Sequence, residues 1–286
     1  MINYNPKEWF TFIFRIHRAD TVRRLFPLMI AVSVYSGAIA FLELEYWNLA
    51  QTSYVKNITL MHGILGFVIS LLLVFRTNTA YERWWEGRKQ WGALVNTSRN
   101  FAIKLNAFVS NKSDRDFFNI MIANYCVALK NHLREHENNF DIDPVLDLHT
   151  EKHGPNQIAN TMFERLNVLL KQNVITTEQL LVLNNDFTAF TDICGACERI
   201  KNTPIPFSYS VFIKKFIFFF VMTLPFGWVF SLGYLIIPVV VLILYAFASL
   251  ELIAEEIENP FGSDANDLPI DSICTNIKKH VNEIFN

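Results

Sequence analysis

Long uncharged runs near the two ends of the chain, with a charged and periodic stretch between them, set the expected architecture. Leu25 to Leu44 carries one charge, Glu43, and Ile58 to Phe75 carries none. Phe216 to Ile253 is a run of 38 residues whose one charge is Glu251. A helix needs about 20 apolar residues, at ~1.5 Å each, to cross ~30 Å of hydrocarbon. The last run is therefore long enough for two crossings, and Gly233 and Pro238 suit a tight reversal between Gly233 and Ile237. The pattern predicts four membrane-spanning helices, over 25–44, 58–75, 213–232 and 237–254. The alternative is buried helices of a large soluble protein, but uncharged runs of this length are uncommon in soluble cores.

The middle of the chain differs in kind. Phe117, Ile120, Met121, Asn124, Tyr125 and Ala128 recur at three- and four-residue steps, as do Met162, Leu166, Leu169 and Leu170, and then Leu180, Leu183, Phe187, Phe190 and Ile193. Thr176-Thr177-Glu178-Gln179 has the form of a capping box, which starts a helix. Asp141 to Asn156 holds two prolines and a glycine and predicts a loop. No alternating strand pattern and no repeat is present. The fold class is an all-α integral membrane protein in four parts. These are an N-terminal segment with two spans (1–76), a cytoplasmic helical region (77–211), two further spans (212–254) and a cytoplasmic tail (255–286).

Composition sharpens this picture. Hydrophobic residues make up 51% of the 286 and charged residues 18%, against roughly 25% charged in soluble domains. Lys plus Arg (25) and Asp plus Glu (27) nearly cancel, which excludes a polybasic nucleic-acid binder. Four cysteines spread along the chain exclude a small disulfide scaffold. The residues before the first span do not form a cleavable signal. Arg15, Arg18, Arg23 and Arg24 precede span one, and Arg76, Arg83, Arg88 and Lys89 follow span two. Lys214 and Lys215 stand at the start of span three, whereas the connection between spans one and two holds Lys56 beside Glu45. By the positive-inside rule both termini and the middle region are cytoplasmic.

Two motifs flank the spans. Arg83-Trp84-Trp85 follows the second, inside a segment where Trp84, Trp85 and Trp91 suit an aromatic belt and where Glu82 and Glu86 can pair with Arg83, Lys89 or Gln90. Asn259-Pro260-Phe261-Gly262 follows the fourth, ahead of an acidic stretch. Together, and with the order of parts, they resemble the bestrophin family, in particular its bacterial members, over nearly the whole chain. That resemblance implies a homopentameric ion channel embedded in lipid, passing small monovalent ions.

It also implies site residues. Phe67, Leu71 and Phe75, at i, i+4 and i+8 on span two with Gly63 one step earlier, match the family's apolar pore neck; by itself such a stripe faces lipid or a core. A hydrophobic constriction gates by dewetting. Gly63, Gly66 and Ser70 would let neighbouring helices approach closely. Glu178 matches the region of the family's cytoplasmic restriction, and a ring of carboxylates there would attract cations; its other role is to serve its own helix dipole. Asp264 and Asp267 match acidic positions of the family's calcium clasp, but Ser263, Ala265 and Asn266 interrupt the acidic run, and no cofactor is assigned. The Glu251, Glu255, Glu256 and Glu258 run is expected to face water or arginines of a neighbouring subunit.

Weaker signals receive structural readings. Cys194-Gly195-Ala196-Cys197 has CxxC spacing without a second pair, which suits packing. His132 and His136, like His149 and His153, are spaced i, i+4, but neither pair sits in an HExxH motif. His62 lies near the outer end of span two, within reach of headgroups. Glu178, with no Arg or Lys inside the runs 58–75 and 216–253, favours cation conduction; the alternative is a chloride or other anion channel. An enzyme or coupled transporter fits less well, because the apolar runs offer His62, Glu43 and Glu251 and no cluster. A membrane-anchored scaffold or sensor, binding a partner through the cytoplasmic helices, is the alternative of another class.

Overall fold

The computed structural model describes residues 21–47, 53–135, 149 and 152–286, with side chains described from Ile58 onward in the segment that begins at 53. Arg15, Arg18 and His136 lie outside the described residues. Among the described residues, eight α-helices follow in chain order: α1 (Thr21–Phe41), α2 (Ser53–Phe108), α3 (Lys112–Arg134), α4 (Gly154–Lys171), α5 (Thr177–Asn202), α6 (Phe207–Leu232), α7 (Ile236–Glu258) and α8 (Ile270–Phe285). A π-helical turn, Leu42–Tyr46, ends α1, and a 3-10 turn, Gly233–Leu235, separates α6 from α7. The described residues contain no strand. Among the described residues, three stretches are long and apolar enough to cross a membrane: Thr21–Tyr46, Ile58–Phe108 and Phe207–Glu258. The third is broken where Gly233 adopts φ +55°, a conformation glycine takes without steric penalty.

The chain divides into two compact units. One comprises residues up to Arg83 together with Pro204–Glu258, and so holds α1, the first part of α2, α6 and α7. α1 packs on α7 and α6, and α6 packs on α7. Val32, Ile69, Leu73, Phe220, Leu224 and Val240 are among its buried residues. Small residues set the α2–α6 spacing: a Cβ on Gly66 would stand 3.3 Å from Phe220, and one on Gly227 3.0 Å from Ile58.

The other unit comprises Trp84–Thr203 and Asn259–Asn286. α3 packs on α8, α4 and α5, and α4 packs on α5. Phe118, Met121, Tyr125 and Ala128 of α3, Met162, Leu166 and Leu169 of α4, and Leu183, Phe190 and Ile193 of α5 are buried, so the predicted stripes do face a core. Tyr125 stacks edge-on against Phe190 at 5.0 Å and donates its hydroxyl to the Phe190 carbonyl at 2.8 Å. The capping box is formed, with Thr176 accepting from the Gln179 amide and Gln179 from the Thr176 amide. The tail folds as α8, which buries Ile270, Cys274, Ile277, Val281 and Phe285 on one face.

In the middle region, two boundaries differ from expectation. α4 starts at Gly154, inside the stretch predicted as a loop, because His153 caps it and Pro155 fits the first turn, where no amide donor is needed. α5 runs on to Asn202, past the last residue of its apolar stripe, with Arg199 and Lys201 in its last turn suiting the dipole.

Candidate functional site

α2 has two faces in its apolar portion. His62, Ile69, Leu73, Arg76 and Ala80 are buried. Phe67, Leu71 and Phe75 point away from the packed face and are 70%, 46% and 57% exposed. Leu60, Ile64, Val68 and Val74 extend the same exposed surface. Gly63, one step earlier, meets nothing within 4 Å. Of the predicted small residues, Gly66 makes a close helix contact, whereas Gly63 and Ser70 are exposed.

The buried face ends in a charge cluster. Arg76 is 1% exposed; its Nη2 donates to Glu258 Oε2 at 2.7 Å and its Nε lies 3.4 Å from Glu251 Oε2. Glu258 Oε1 accepts the Ile205 amide at 2.7 Å, and its carbonyl accepts from Arg83 Nε at 3.0 Å. Glu251 and Glu258 therefore do not face water, as the acidic run suggested. They neutralise an arginine of their own chain. Glu255 does remain exposed, pairing with Lys214 at 2.9 Å.

Within one unit, the helix from Trp84 onward packs on the segment that begins at Asn259. Trp84 Nε1 donates to the Asn266 carbonyl at 3.0 Å. A Cβ on Gly87 would stand 3.0 Å from Phe261 and 3.1 Å from Pro260. Trp91 is fully buried. Trp84 and Trp91 thus leave the expected aromatic belt, because both are claimed by packing, while Trp85 is half exposed. Glu86 pairs with Lys89 and Gln90, as the spacing suggested.

Glu178 is exposed in the first turn of α5. A hydrogen bond from Thr176 holds its carboxyl below the usual range, so it carries a full negative charge near neutral pH. Asp264 is exposed, whereas Asp267 is buried and its Oδ2 accepts the Asp264 amide at 2.6 Å. A Cβ on Gly262 would stand 2.6 Å from that oxygen. Calcium takes six to eight oxygens. Of the two matched carboxylates, one has an oxygen engaged in closing its own turn, so this pair fits a turn better than an ion.

His62 does not reach outward as expected. It is buried against α6, with Nε2 3.1 Å from Thr223 Oγ1 and its ring edge-on to Phe220. Burial pushes the Cys194 and Cys197 thiols up to about 12, which suppresses thiolate chemistry and agrees with packing. One histidine from each spaced pair is drawn into a different grouping. His132 and His153 come together on Glu198, a residue the sequence did not single out.

Residues 1–283 match the family described as Bacterial/Fungal Bestrophin protein. The chain belongs to that family. It is 32% identical to a voltage-dependent anion channel-forming protein of Nostoc sp. over 97% of this chain and 92% of the relative. It is 36% identical to one of Synechocystis sp. over 81% and 80%. The crystal structure of a bacterial bestrophin homolog from Klebsiella pneumoniae superimposes with a TM-score of 0.79 at 25% identity, covering 93% of this chain and 98% of that one. These bestrophin relatives confirm the resemblance carried by the two motifs.

Proposed function

We propose that this bestrophin is the subunit of a homo-oligomeric ion channel, a ring of five copies by the family resemblance, in which small monovalent ions pass along an axis lined by Phe67, Leu71 and Phe75. The observation that carries this reading is the uncharged stripe of large exposed side chains on α2, directly opposite a face locked into packing. In a ring, one such stripe supplies stacked collars of identical side chains, and an apolar collar gates by expelling water. The ring stands in the inner membrane with both termini cytoplasmic, which the Arg and Lys placement supports. No catalysis is assigned.

Anions are the favoured cargo. Both relatives above, at more than 30% identity, are named as anion channel-forming proteins, and nothing in the comparisons supports the cation preference expected from Glu178. Cation conduction remains the second reading because Glu178 is exposed and ionised. Purified protein in planar bilayers under asymmetric KCl separates the two. A reversal potential near the chloride equilibrium value supports anion conduction, and one near the potassium value supports the second reading. No current under any voltage refutes the channel. Averaging of detergent-solubilised particles counts the subunits.

A further inference from the structure

His132 lies in the last turn of α3 and His153 caps α4, and their rings are 4.2 Å apart between centroids. Both Nε2 atoms reach the same oxygen, Oε1 of Glu198 on α5, at 2.7 and 2.6 Å. The three side chains are 34%, 29% and 30% exposed, half-sheltered yet open to ions. Each offers one ligand atom, and these atoms all lie within 4.8 Å of one another. We infer that His132, His153 and Glu198 form a binding site for one transition-metal dication of the zinc class, with solvent completing the coordination shell.

The donor set carries the choice of ion. Two imidazole nitrogens and one carboxylate oxygen suit Zn²⁺ and its neighbours, whereas Mg²⁺ and Ca²⁺ prefer all-oxygen shells. An ion about 2.0–2.2 Å from each donor needs them roughly 3.3 Å apart, so each Nε2 draws back from Glu198 Oε1, now at 2.7 and 2.6 Å, by less than an ångström on loading. The metal-free arrangement already shows the attraction the ion would replace. Although burial pushes the Glu198 carboxyl up, hydrogen bonds from His153 and His132 together outweigh it and hold the group ionised.

Loading has a local consequence. His153 Nδ1 accepts the Asn156 amide at 3.2 Å, so the proton of the neutral ring sits on Nε2, toward Glu198. Coordination through Nε2 shifts that proton to Nδ1 and gives up the cap on α4. Asn156 is exposed, so water takes the place of the lost acceptor. Close by, Lys201 donates to the His132 carbonyl at 3.3 Å, and its charge is met by Glu135 at 2.9 Å. One ion would therefore tie the end of α3 and the start of α4 to α5.

The test uses the full chain in detergent, stripped of metal and titrated with ZnCl2 or MgCl2. One Zn²⁺ per chain is expected, with no response to Mg²⁺. X-ray absorption at the zinc edge is expected to show nitrogen and oxygen neighbours at ~2.0–2.1 Å and no sulfur. His153→Asn keeps a capping side chain, and Glu198→Gln keeps the shape. Each is expected to weaken zinc binding at least about tenfold while eluting like wild type. Sulfur at ~2.3 Å would move the ion to Cys194 and Cys197 and overturn the site. So would unchanged binding in both variants, or no zinc binding by the wild-type chain.

Discussion

Arg76 and Glu251 face each other at 3.4 Å with side chains 1% and 4% exposed, one residue beyond the last position of the proposed neck. Glu258 joins the same guanidinium at 2.7 Å and also holds the Ile205 amide ahead of α6. One arginine thus fastens α2, α7 and the approach to α6. Removing one member of a buried ion group leaves charge without compensation, which costs about 3–5 kcal/mol. Arg76→Ala is expected to lower the thermal unfolding midpoint in detergent by that equivalent. Arg76→Met combined with Glu251→Gln and Glu258→Gln is expected to recover much of the loss. A single variant as stable as wild type would show that the cluster contributes little.

Phe67→Ala and Leu71→Ala are expected to raise single-channel current or open probability several-fold, by widening and wetting the collar. Both side chains are exposed in the subunit, so their effect on its stability should stay within about 0.5 kcal/mol. The pair of measurements separates a pore residue from a packing one. Unchanged currents in both variants would remove Phe67 and Leu71 from the conduction path.

Glu178 sets a pH expectation. Its carboxyl is held below the ordinary value by a hydrogen bond from Thr176, so it stays ionised from neutral pH down through the range where an ordinary glutamate is still charged, and neutralises only at more acid pH. The chloride-to-potassium permeability ratio should be flat across that window and rise below it. Glu178→Gln should show the higher ratio at neutral pH. Equal ratios in wild type and variant would place Glu178 away from the ion path.

Gly87→Ala places a methyl 3.0 Å from Phe261 and 3.1 Å from Pro260. Overpacking of this kind typically costs about 1–3 kcal/mol. Chemical unfolding of the purified protein should record a loss in that range. A neutral result would mean that the Pro260–Phe261 segment yields freely.

Asp267 is expected to act through its turn. Asp267→Ala removes the acceptor for the Asp264 amide and should destabilise by about 1–3 kcal/mol. Adding Ca²⁺ or a chelator to wild type should leave both melting temperature and current unaltered. A calcium-dependent rise in either would restore Asp264 and Asp267 as ion ligands.

What could be read along the chain was whatever depends on near neighbours. The exposed Phe67, Leu71 and Phe75 form an i, i+4, i+8 stripe, and the Thr176 to Gln179 cap is a four-residue pattern. α8 carried a comparable signal in Ile270, Cys274, Ile277 and Val281, which the polar tail around it masked. Charges were harder. Glu258 stands 182 positions from Arg76 in sequence, and an acidic run by default points to water. His132 and His153 each seemed to have a partner four residues away, yet each found the other.

The bilayer-length apolar runs, the helical periodicity and the two flanking motifs determined the helical membrane architecture and the family, because hydrophobic length and local spacing are properties of the chain itself. Tertiary structure alone decided which polar groups meet: Arg76 with Glu251, Trp84 with the Asn266 carbonyl, and two histidines with Glu198. A buried charge or hydrogen-bonding group must find a partner wherever packing happens to bring one, and one-dimensional order does not encode that distance.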